Sequence, residues 1–385
     1  MNFEKLRQHP FVVLGQEHYN PLGIVRTLGE NGIHPTAFVY GGGLRLTSKS
    51  KYLKKVYEFT SLDDAYVELL KFIGGCEGPK PFILTSDDTT ESYLDQRYDE
   101  LVDKAYFFNA GQAGRVTAFM DKKAILAAAQ KHGLNVLDAV VTERGVVPKG
   151  LDYPVITKAI TPTMGAWKND MHICHNEDEL RVAFDSIRSD EVLVQKYIVK
   201  KNELCMEGIS SPKGCDMLIT IASTYNYYLP MSYSPYMTVG NLKNPELEAK
   251  LSELMADIGF TGVFEIEFLE DQEGNLWFGE INFRNSTWSY ASTCAGMPLA
   301  LIWADSQLTG IVDRSLLRKV PDGFTAMVEI TDYRERVKKG KVSLGAWLSD
   351  FKNADCRYYL GRHGDIAPVV SLLGTSVCRK LHLDR

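Results

Sequence analysis

The sequence has 385 residues, enough for two or three domains at roughly 100–200 residues each. Its 43 basic and 49 acidic side chains give a formal net charge of −6, which disfavours a general nucleic-acid binder. Hydrophobic residues make up 45% and charged residues 24% of the chain, the composition of a packed globular protein and not of a disordered one.

Membrane segments, leaders and cysteine frameworks are all disfavoured by the sequence. The longest apolar run, residues 295–304, is interrupted by Pro298 and falls short of the roughly 18 residues that cross a bilayer. The apolar part of the N-terminal segment is too short for a signal peptide. The seven cysteines are irregularly spaced without a C-x-x-C, so we expect buried free thiols. These features predict a cytoplasmic protein that binds neither membranes nor nucleic acid.

The first hundred residues alternate between strand and helix patterns. Strands are predicted at 11–14, 37–40 and 82–85, and helices at 21–31 and 61–73. This alternation predicts a parallel sheet with helices on its faces, and ligands bind such sheets where the strands end. Residues 15–20 and 86–88, the latter within a polar stretch that runs to 91, lie at such strand ends.

The rest of the chain mixes helices with strands that are less regularly spaced. Helices are predicted at 121–132, 176–186 and 244–258, and strands at 153–158, 192–199 and 217–228. Two further strands, 262–270 and 276–283, are predicted to form a hairpin around the turn 271–275.

This hairpin carries the strongest chemical signal in the sequence. On its first strand the side chains of Phe264, Ile266 and Phe268 point one way, and those of Glu265 and Glu267 point the other way. On its second strand one side is predicted to hold Leu276, Phe278, Glu280 and Asn282. If Glu270 pairs with Asn275, Glu265 lies opposite Glu280, and Glu267 lies diagonal to it.

Two interpretations of this acidic face remain open at the level of the pattern. Burying several like charges is very costly unless a cation neutralises them, and carboxylate and amide oxygens suit Mg²⁺ or Mn²⁺ better than zinc. The alternative is an amphipathic hairpin with one solvated acidic face, which is common where one face of a sheet is wet.

The segment 262–284 resembles the metal-binding hairpin of the ATP-grasp superfamily, which reads roughly E-F-L … G … E-I-N-x-R. The resemblance implies that Glu267, Glu280 and Asn282 hold Mg²⁺ (or Mn²⁺) bridging the phosphates of ATP. It also implies that Arg284 stabilises the charge on the transferred phosphoryl group or on an acyl phosphate. Glu265 is not a ligand in the family and is interpreted as a supporting group.

Three lysines upstream are candidates for contacting phosphate. Residues 120–136 resemble the family's D-K … G-(I/L)-x-V stretch, which implies that Lys122 contacts phosphate; alone, it would be interpreted as a solvated helix charge. Residues 153–158 resemble the (Y/F)-P-V-V-x-K strand and end at Lys158. The loop 161–168 replaces the glycine-rich phosphate flap of many members and offers Lys168 as a catalytic candidate, although only one glycine remains in it.

Other residues are candidates for binding the adenine base and the ribose of ATP. Residues 194–198 resemble the (V/M)-(E/Q)-x-(Y/F)-(I/L) linker that lies along adenine, which brings Gln195 to the ATP site. Backbone groups at Lys196 and Ile198 are implied to hydrogen-bond the base. Glu203 follows at a distance suited to the ribose hydroxyls; the alternative for it is an exposed loop acid.

The segment after Arg284 resembles that of ATP-grasp carboxylate–amine ligases related to D-aspartate ligase and to the large chain of carbamoyl-phosphate synthase. The substrate is predicted to lie near Asn285, Ser286 and Thr287, with Asp87 contributed by the N-terminal domain.

The resemblance implies an α/β protein in which a parallel-sheet pre-ATP-grasp domain precedes a two-lobed α+β ATP-grasp fold. The predicted boundaries are 1–113 for the N-terminal domain, 114–200 for the small lobe, 201–310 for the large lobe with the metal site, and 311–385 for a C-terminal extension packed on the large lobe.

The predicted activity is ATP-dependent ligation. The enzyme would phosphorylate a small-molecule carboxylate to an acyl phosphate and couple it to an amine, with ATP and Mg²⁺ (or Mn²⁺) as cofactors and with amino acids or small peptides as substrates. A homodimer is also predicted. Two alternatives stay open: a carboxylase-like enzyme that uses another nucleophile, and a non-catalytic ATP-binding protein.

Overall fold

The computed structural model describes residues 1–42, 45–161, 170–211, 216–229 and 232–380. Its first sheet is parallel, with the spatial order β3-β2-β1-β4. The strands are β1 (Phe11–Gln16), β2 (Thr36–Tyr40), β3 (Lys55–Phe59) and β4 (Phe82–Thr85). The helices of this region are α1 (Phe3–Leu6), α2 (Tyr19–Gly29), α3 (Leu62–Gly74), α4 (Asp88–Asp95) and α5 (Tyr98–Leu101). The inner strand β1 and the edge strand β4 are almost wholly buried, as apolar strands covered on both faces should be.

The second sheet is antiparallel and belongs to the middle of the chain. Its strands are β5 (Ala139–Glu143), β6 (Val155–Ala159), β7 (Ile173–Cys174) and β8 (Glu191–Lys196), in the order β5-β8-β6-β7. The helices here are α6 (Arg115–Phe119), α7 (Lys122–Lys131) and α8 (Glu177–Ser186). Asp121 and Asn176 cap α7 and α8 by accepting a hydrogen bond from the backbone three residues later, which fixes where each helix begins.

The third sheet is the largest, with the order β13-β12-β9-β10-β11-β14-β15. Its strands are β9 (Asn202–Ser210), β10 (Met217–Tyr225), β11 (Tyr236–Gly240), β12 (Gly262–Glu270), β13 (Leu276–Asn282), β14 (Thr325–Met327) and β15 (Cys356–Arg357). The remaining helices are α9 (Pro245–Ile258), α10 (Ser289–Cys294), α11 (Leu299–Thr309), α12 (Glu329–Tyr333), α13 (Leu344–Asn353) and α14 (Ala367–Lys380).

One hydrophobic core joins the first and third sheets. Helix α2 packs against β1 on one side and against α10 and α11 on the other. Helix α11 is buried from Leu299 to Ser306, so it fills the space between the two sheets. This packing brings the strand ends of the N-terminal sheet against the segment that follows the acidic hairpin.

The predicted fold class is confirmed, and several details go beyond the predicted elements. In the polar stretch 86–91, Asp87 caps a helix, α4, that was not predicted. The C-terminal extension does more than pack on the large lobe, since β14 and β15 continue its sheet. The strands without a counterpart among the predicted elements are β3, β5, β7, β9, β11, β14 and β15. Among the described residues, no helix combines the length and the apolar character needed to cross a bilayer.

Candidate functional site

The acidic hairpin forms as β12 and β13, but its register differs from the predicted one. Glu267 lies directly opposite Glu280, and Glu265 lies opposite Asn282, whereas the prediction put Glu265 opposite Glu280. The result keeps all four polar side chains on one face of the sheet, with both carboxylates of β12 beside the polar residues of β13.

Of the two residues in this shift, one comes from the turn, where Glu270 pairs with Leu276 and not with Asn275, and the other comes from a β-bulge at Gly279. This extra residue lies between the pair Glu267–Glu280 and the pair Phe268–Phe278. A Cβ at Gly279 would lie 3.0 Å from the Glu267 carbonyl oxygen, so the close approach of the strands favours glycine here. Beyond the bulge the alternation is reversed, and Phe278 joins the core with its ring 5.5 Å from that of Phe268. The prediction that Phe278 shares the acidic face was therefore wrong.

The carboxylates of the hairpin are strongly perturbed. Burial raises the pKa of Glu267, and the charges of Glu265 and Glu280 raise it further. Burial likewise raises the pKa of Glu265, with the carboxylate of Glu207 as the next cause. Glu280 is the exception, because the ammonium of Lys122 lowers its pKa. Such crowding of buried acids is what a bound cation relieves.

The side chains of Asn282 and Arg284 link these acids to the N-terminal domain. Asn282 Nδ2 donates to Glu265 Oε2 at 2.9 Å and to Glu267 Oε1 at 3.0 Å. Its Oδ1 accepts from Arg284 Nη2 at 3.0 Å. Arg284 Nε donates to Asp88 Oδ1 at 2.9 Å. Burial alone would lower the pKa of Arg284, but the carboxylates of Asp88 and Glu265 raise it, so the guanidinium stays charged.

Two phosphate-binding candidates, Lys122 and Lys158, converge on the same face. Lys122 Nζ contacts Glu280 Oε2 at 2.5 Å, and Lys158 Nζ donates to Gln195 Oε1 at 2.9 Å. Burial would lower the pKa of Lys122, but Glu280 raises it. The pKa of Lys158 is lowered to about 8 by burial and then by the nearby charge of Lys122. Lysines held this close together suit a polyanionic ligand.

The predicted nucleotide edge lies at the end of β8. The N–H of Lys196 donates to the Asp138 carbonyl, and its side chain extends to Asp152. Ile198 is half-buried, and its N–H has no hydrogen-bond partner among the described residues. Glu203 is buried and its carboxylate contacts Lys200, so the exposed-acid alternative for Glu203 is wrong.

The four predicted substrate contacts differ in what their side chains do. Asn285 is buried and donates to the Thr85 carbonyl. Thr287 Oγ1 donates to Asn20 Oδ1 at 3.2 Å, across to the N-terminal domain. Asp87 is occupied as the cap of α4, where it accepts from the N–H and the hydroxyl of Thr90.

Ser286 contacts a carboxylate that the sequence analysis did not find. Its hydroxyl donates to Glu207 Oε1 at 2.5 Å, and the hydroxyl of Ser289 donates to Glu207 Oε2 at 2.6 Å. Glu207 lies on β9 directly opposite Glu265. Recognising β9 as a strand would have put Glu207 in line with the acidic face.

Asp88 was also missed as a partner of Arg284, although the strand end 86–88 was predicted to face ligand. The neighbouring His18, at the start of α2, faces the same region: burial lowers its pKa to about 4, and the charge of Arg284 adds to this. Lys168, the remaining catalytic candidate, lies outside the described residues.

The donor set fits a hard divalent cation. Among the described residues, no three His, Cys, Asp or Glu side chains form a group that could hold a metal ion. The predicted ligands are instead two carboxylates, Glu267 and Glu280, and the amide oxygen of Asn282. Oxygen ligands with few charges suit Mg²⁺, which keeps several waters or phosphate oxygens of its own.

The fold has clear counterparts among solved structures. The L-amino acid ligase from Bacillus licheniformis superposes with a TM-score of 0.63 at 13% identity, covering 81% of this chain and 78% of that one. The N5-carboxyaminoimidazole synthetase from Staphylococcus aureus has a TM-score of 0.63 at 13% identity and covers 88% of each chain. The biotin carboxylase domain of 2-oxoglutarate carboxylase from Hydrogenobacter thermophilus, in complex with MgADP, ADP and bicarbonate, has a TM-score of 0.61 at 17% identity, covering 81% and 73%.

No family model matches the sequence, and no curated protein matches it significantly. The structural likenesses, together with the three sheets and the acidic hairpin, establish that the chain has the ATP-grasp fold.

Proposed function

We propose that this protein is an ATP-dependent carboxylate–amine ligase. The carrying observation is the convergence of Lys122, Lys158 and Arg284 on the acidic face of the hairpin β12–β13. In the proposed reaction, the γ-phosphoryl group of ATP passes to a carboxylate oxygen, giving an acyl phosphate and ADP. An amine then attacks the acyl carbon and displaces phosphate, which leaves an amide.

The lysines bind and orient the phosphates in this proposal. Lys122 exchanges its contact with Glu280 for phosphate oxygens, and Gln195 holds the Lys158 ammonium towards the same place. The N–H of Ile198 donates to adenine, the carbonyl of Lys196 accepts from adenine, and Glu203 accepts from the ribose hydroxyls. Positioning and charge neutralisation supply most of the catalysis in phosphoryl transfer, which explains why no nucleophilic residue is required.

Arg284 serves the second half of the reaction. Its guanidinium is charged and donates hydrogen bonds to Asp88 and to Asn282, which is the last proposed metal ligand along the chain. From there it stabilises the negative charge on the acyl phosphate. Glu267, Glu280 and Asn282 hold Mg²⁺, which supplies charge neutralisation on the phosphate oxygens when it is bound. Thr287 and the N-terminal strand ends, including Asp88, border the acceptor side.

The compared structures favour carboxyl activation without fixing the nucleophile. One is named as an amino acid ligase, and two are named for carboxylation chemistry. A carboxylase that activates bicarbonate is therefore the second candidate. The predicted homodimer stays a prediction.

Hydroxylamine trapping tests the proposal without knowledge of the natural amine. The protein is incubated with Mg·ATP, hydroxylamine and pools of amino acids, dipeptides and simple carboxylic acids, and ADP and hydroxamates are measured. We expect hydroxamate formation and stoichiometric ADP release with at least one pool. ADP release with bicarbonate alone, without hydroxamate, would favour the carboxylase, and no ADP release from any pool would contradict both.

The control variants lie on the same hairpin. Glu280→Ala removes a proposed metal ligand and should lower ADP release at least about 100-fold. Glu270→Ala removes an acid at the far end of β12 whose contact is the exposed Lys201, and it should leave ADP release unchanged.

A further inference from the structure

Glu265 occupies a place that no part of the proposed chemistry explains. It is 5% exposed and lies on the middle strand of three, opposite Glu207 on β9 and opposite Asn282 on β13. A buried carboxylate directly opposite another acid is costly, so its presence calls for a gain elsewhere.

Glu265 lies between a carboxylate that serine hydroxyls hold in place and the amide of Asn282. Glu207 is fixed from behind, because each of its oxygens accepts a serine hydroxyl, from Ser286 and from Ser289. Glu265 packs against this fixed carboxylate, and its Oε2 accepts from Asn282 Nδ2 at 2.9 Å.

The amide of Asn282 can point either way unless its neighbours choose between nitrogen and oxygen. Glu265 and Glu267 both offer acceptors to the amide nitrogen, which turns Oδ1 towards Arg284 and the phosphate side. When Glu267 binds a metal ion, its oxygens are drawn into coordination. Glu265 is then the acceptor that remains for Asn282 Nδ2.

We propose that Glu265 is a positioning residue for the metal site: through Asn282 it keeps the amide oxygen directed at the cation. This inference rests on the proposed function, since it assumes that the hairpin holds a divalent cation with nucleotide. Groups that hydrogen-bond metal ligands typically contribute 10–100-fold to metal affinity.

Binding of Mn²⁺ in the presence of ADP tests this without any acceptor substrate. Free Mn²⁺ is followed by its electron paramagnetic resonance signal, and ADP binding without metal is measured separately by calorimetry. Glu265→Leu removes the acceptor and keeps the bulk. Glu265→Gln keeps an acceptor oxygen for Asn282 and gives Glu207 a donor. Ile266→Val, on the core face of the same strand, is the matched control.

We expect Glu265→Leu to weaken Mn²⁺ binding at least about tenfold while ADP binding without metal stays unchanged. Glu265→Gln and Ile266→Val should bind Mn²⁺ as the wild type does. A purely structural role predicts the opposite signature, with a lower melting temperature in Glu265→Leu and an unchanged Mn²⁺ affinity. That result, or a tenfold loss in Glu265→Gln, would overturn the inference.

A double-mutant cycle shows whether Glu265 acts through Asn282. In an Asn282→Ala background, Glu265→Leu should cause no further loss of Mn²⁺ affinity. Losses that simply add would contradict the proposal. If the wild type binds ADP but no Mn²⁺ with it, the proposed function fails first, which is distinguishable from a failure confined to the Glu265 variants. If Glu265→Leu does not fold, Glu265→Met, which also removes the acceptor, takes its place with the same expected loss of Mn²⁺ affinity, and unchanged affinity in that variant would overturn the proposal.

Discussion

Two arginine–aspartate pairs tie the N-terminal domain to the rest of the chain, and they differ in almost everything except their geometry. Arg26 Nε lies 2.8 Å from Asp365, and both side chains are 0% exposed. Arg284 Nε lies 2.9 Å from Asp88, with 14% and 23% of these side chains exposed. The N–O distances alone would therefore not distinguish a structural ion pair from a functional one.

The surroundings of Arg26 leave it nothing to bind. Its guanidinium also donates to the carbonyls of Tyr358, Tyr359 and Asp365. A Cβ at Gly361 would lie 2.4 Å from the guanidinium carbon, so the C-terminal segment wraps the arginine closely. Four of its five N–H donors are used by the protein and the side chain is 0% exposed, which marks a structural pair.

Arg284, unlike Arg26, lies among groups that are proposed to bind the metal ion and the phosphates. Besides Asp88 it contacts an amide that belongs to the proposed metal set, and carboxylates within range keep it charged. It faces a region lined with two further cations, Lys122 and Lys158. The comparison indicates that an arginine's remaining capacity, and not its ion pair, separates the functional residue from the structural one.

The largest expected effect is on turnover. Arg284→Met should lower ADP release in the hydroxylamine assay by about 10³-fold or more, because the charge on the acyl phosphate loses its donor. The same variant should unfold within about 1 kcal/mol of the wild type in urea, because the pair with Asp88 is partly exposed. A variant that keeps full ADP release would remove Arg284 from the proposed site.

The next effect is on stability and concerns the other arginine. Arg26→Met leaves Asp365 buried without its charge partner, which should lower the free energy of unfolding by about 3–5 kcal/mol, measured by urea denaturation. The double variant Arg26→Met with Asp365→Leu should recover much of this loss, because the uncompensated charge is gone. Equal losses in the single and double variants would show that the hydrogen bonds of Arg26, and not its charge, stabilise the segment.

The features that could be predicted from the sequence depend on residues that are close together along the chain. The alternation of the two strands brought out Glu267, Glu280 and Asn282, and the resemblance of the same short segment to the ATP-grasp hairpin added Arg284. The helices predicted at 121–132 and 176–186 also form, because the caps that start them, Asp121 and Asn176, bond within their own first turns.

What sequence reasoning missed depends on distant contacts or on one inserted residue. A bulge such as that at Gly279 cannot be seen from a period of two, and it changes the register of everything beyond it. Asp88 meets Arg284 across 196 positions, and Arg26 meets Asp365 across 339. Glu207 belongs to a strand whose mixed pattern predicts no element, so its role followed only from the sheet.

Lys158 is a second cation that contrasts with Arg26, because its only hydrogen-bond partner in the described structure is the neutral Gln195. Its pKa of about 8 predicts that ADP affinity falls by up to about fivefold as the pH rises from 8 to 9, when the ammonium loses its proton. Calorimetric titration with ADP, without metal, from pH 7 to 9.5 measures this. Lys158→Arg should remove the pH dependence, and an equally steep fall in that variant would assign it to another group.

A rise in pH has the opposite effect on the folding stability from its effect on ADP binding. The pKa of Lys158 is lowered from 10.5 in the folded protein, so the unfolded chain binds the proton more strongly between pH 8 and 10.5. The contribution of Lys158 to the free energy of unfolding therefore rises with pH across the same window in which ADP binding weakens. A cation kept for a ligand destabilises the empty protein, whereas the charge of Arg26 is compensated within the protein by the carboxylate of Asp365.

The smallest effect separates the two aspartates. Asp88→Asn should lower the free energy of unfolding by no more than about 1 kcal/mol, because solvent screens a partly exposed pair and Asn282 still holds Arg284. Asp365→Asn, the matched change, leaves Arg26 charged in a closed interior and should cost about 3–5 kcal/mol. Urea denaturation of both variants at pH 7 gives the difference directly. If the two losses were equal, exposure and remaining hydrogen-bonding capacity would not distinguish these pairs, and Arg284 would have to be interpreted as a second structural clamp between the N-terminal domain and the acidic hairpin.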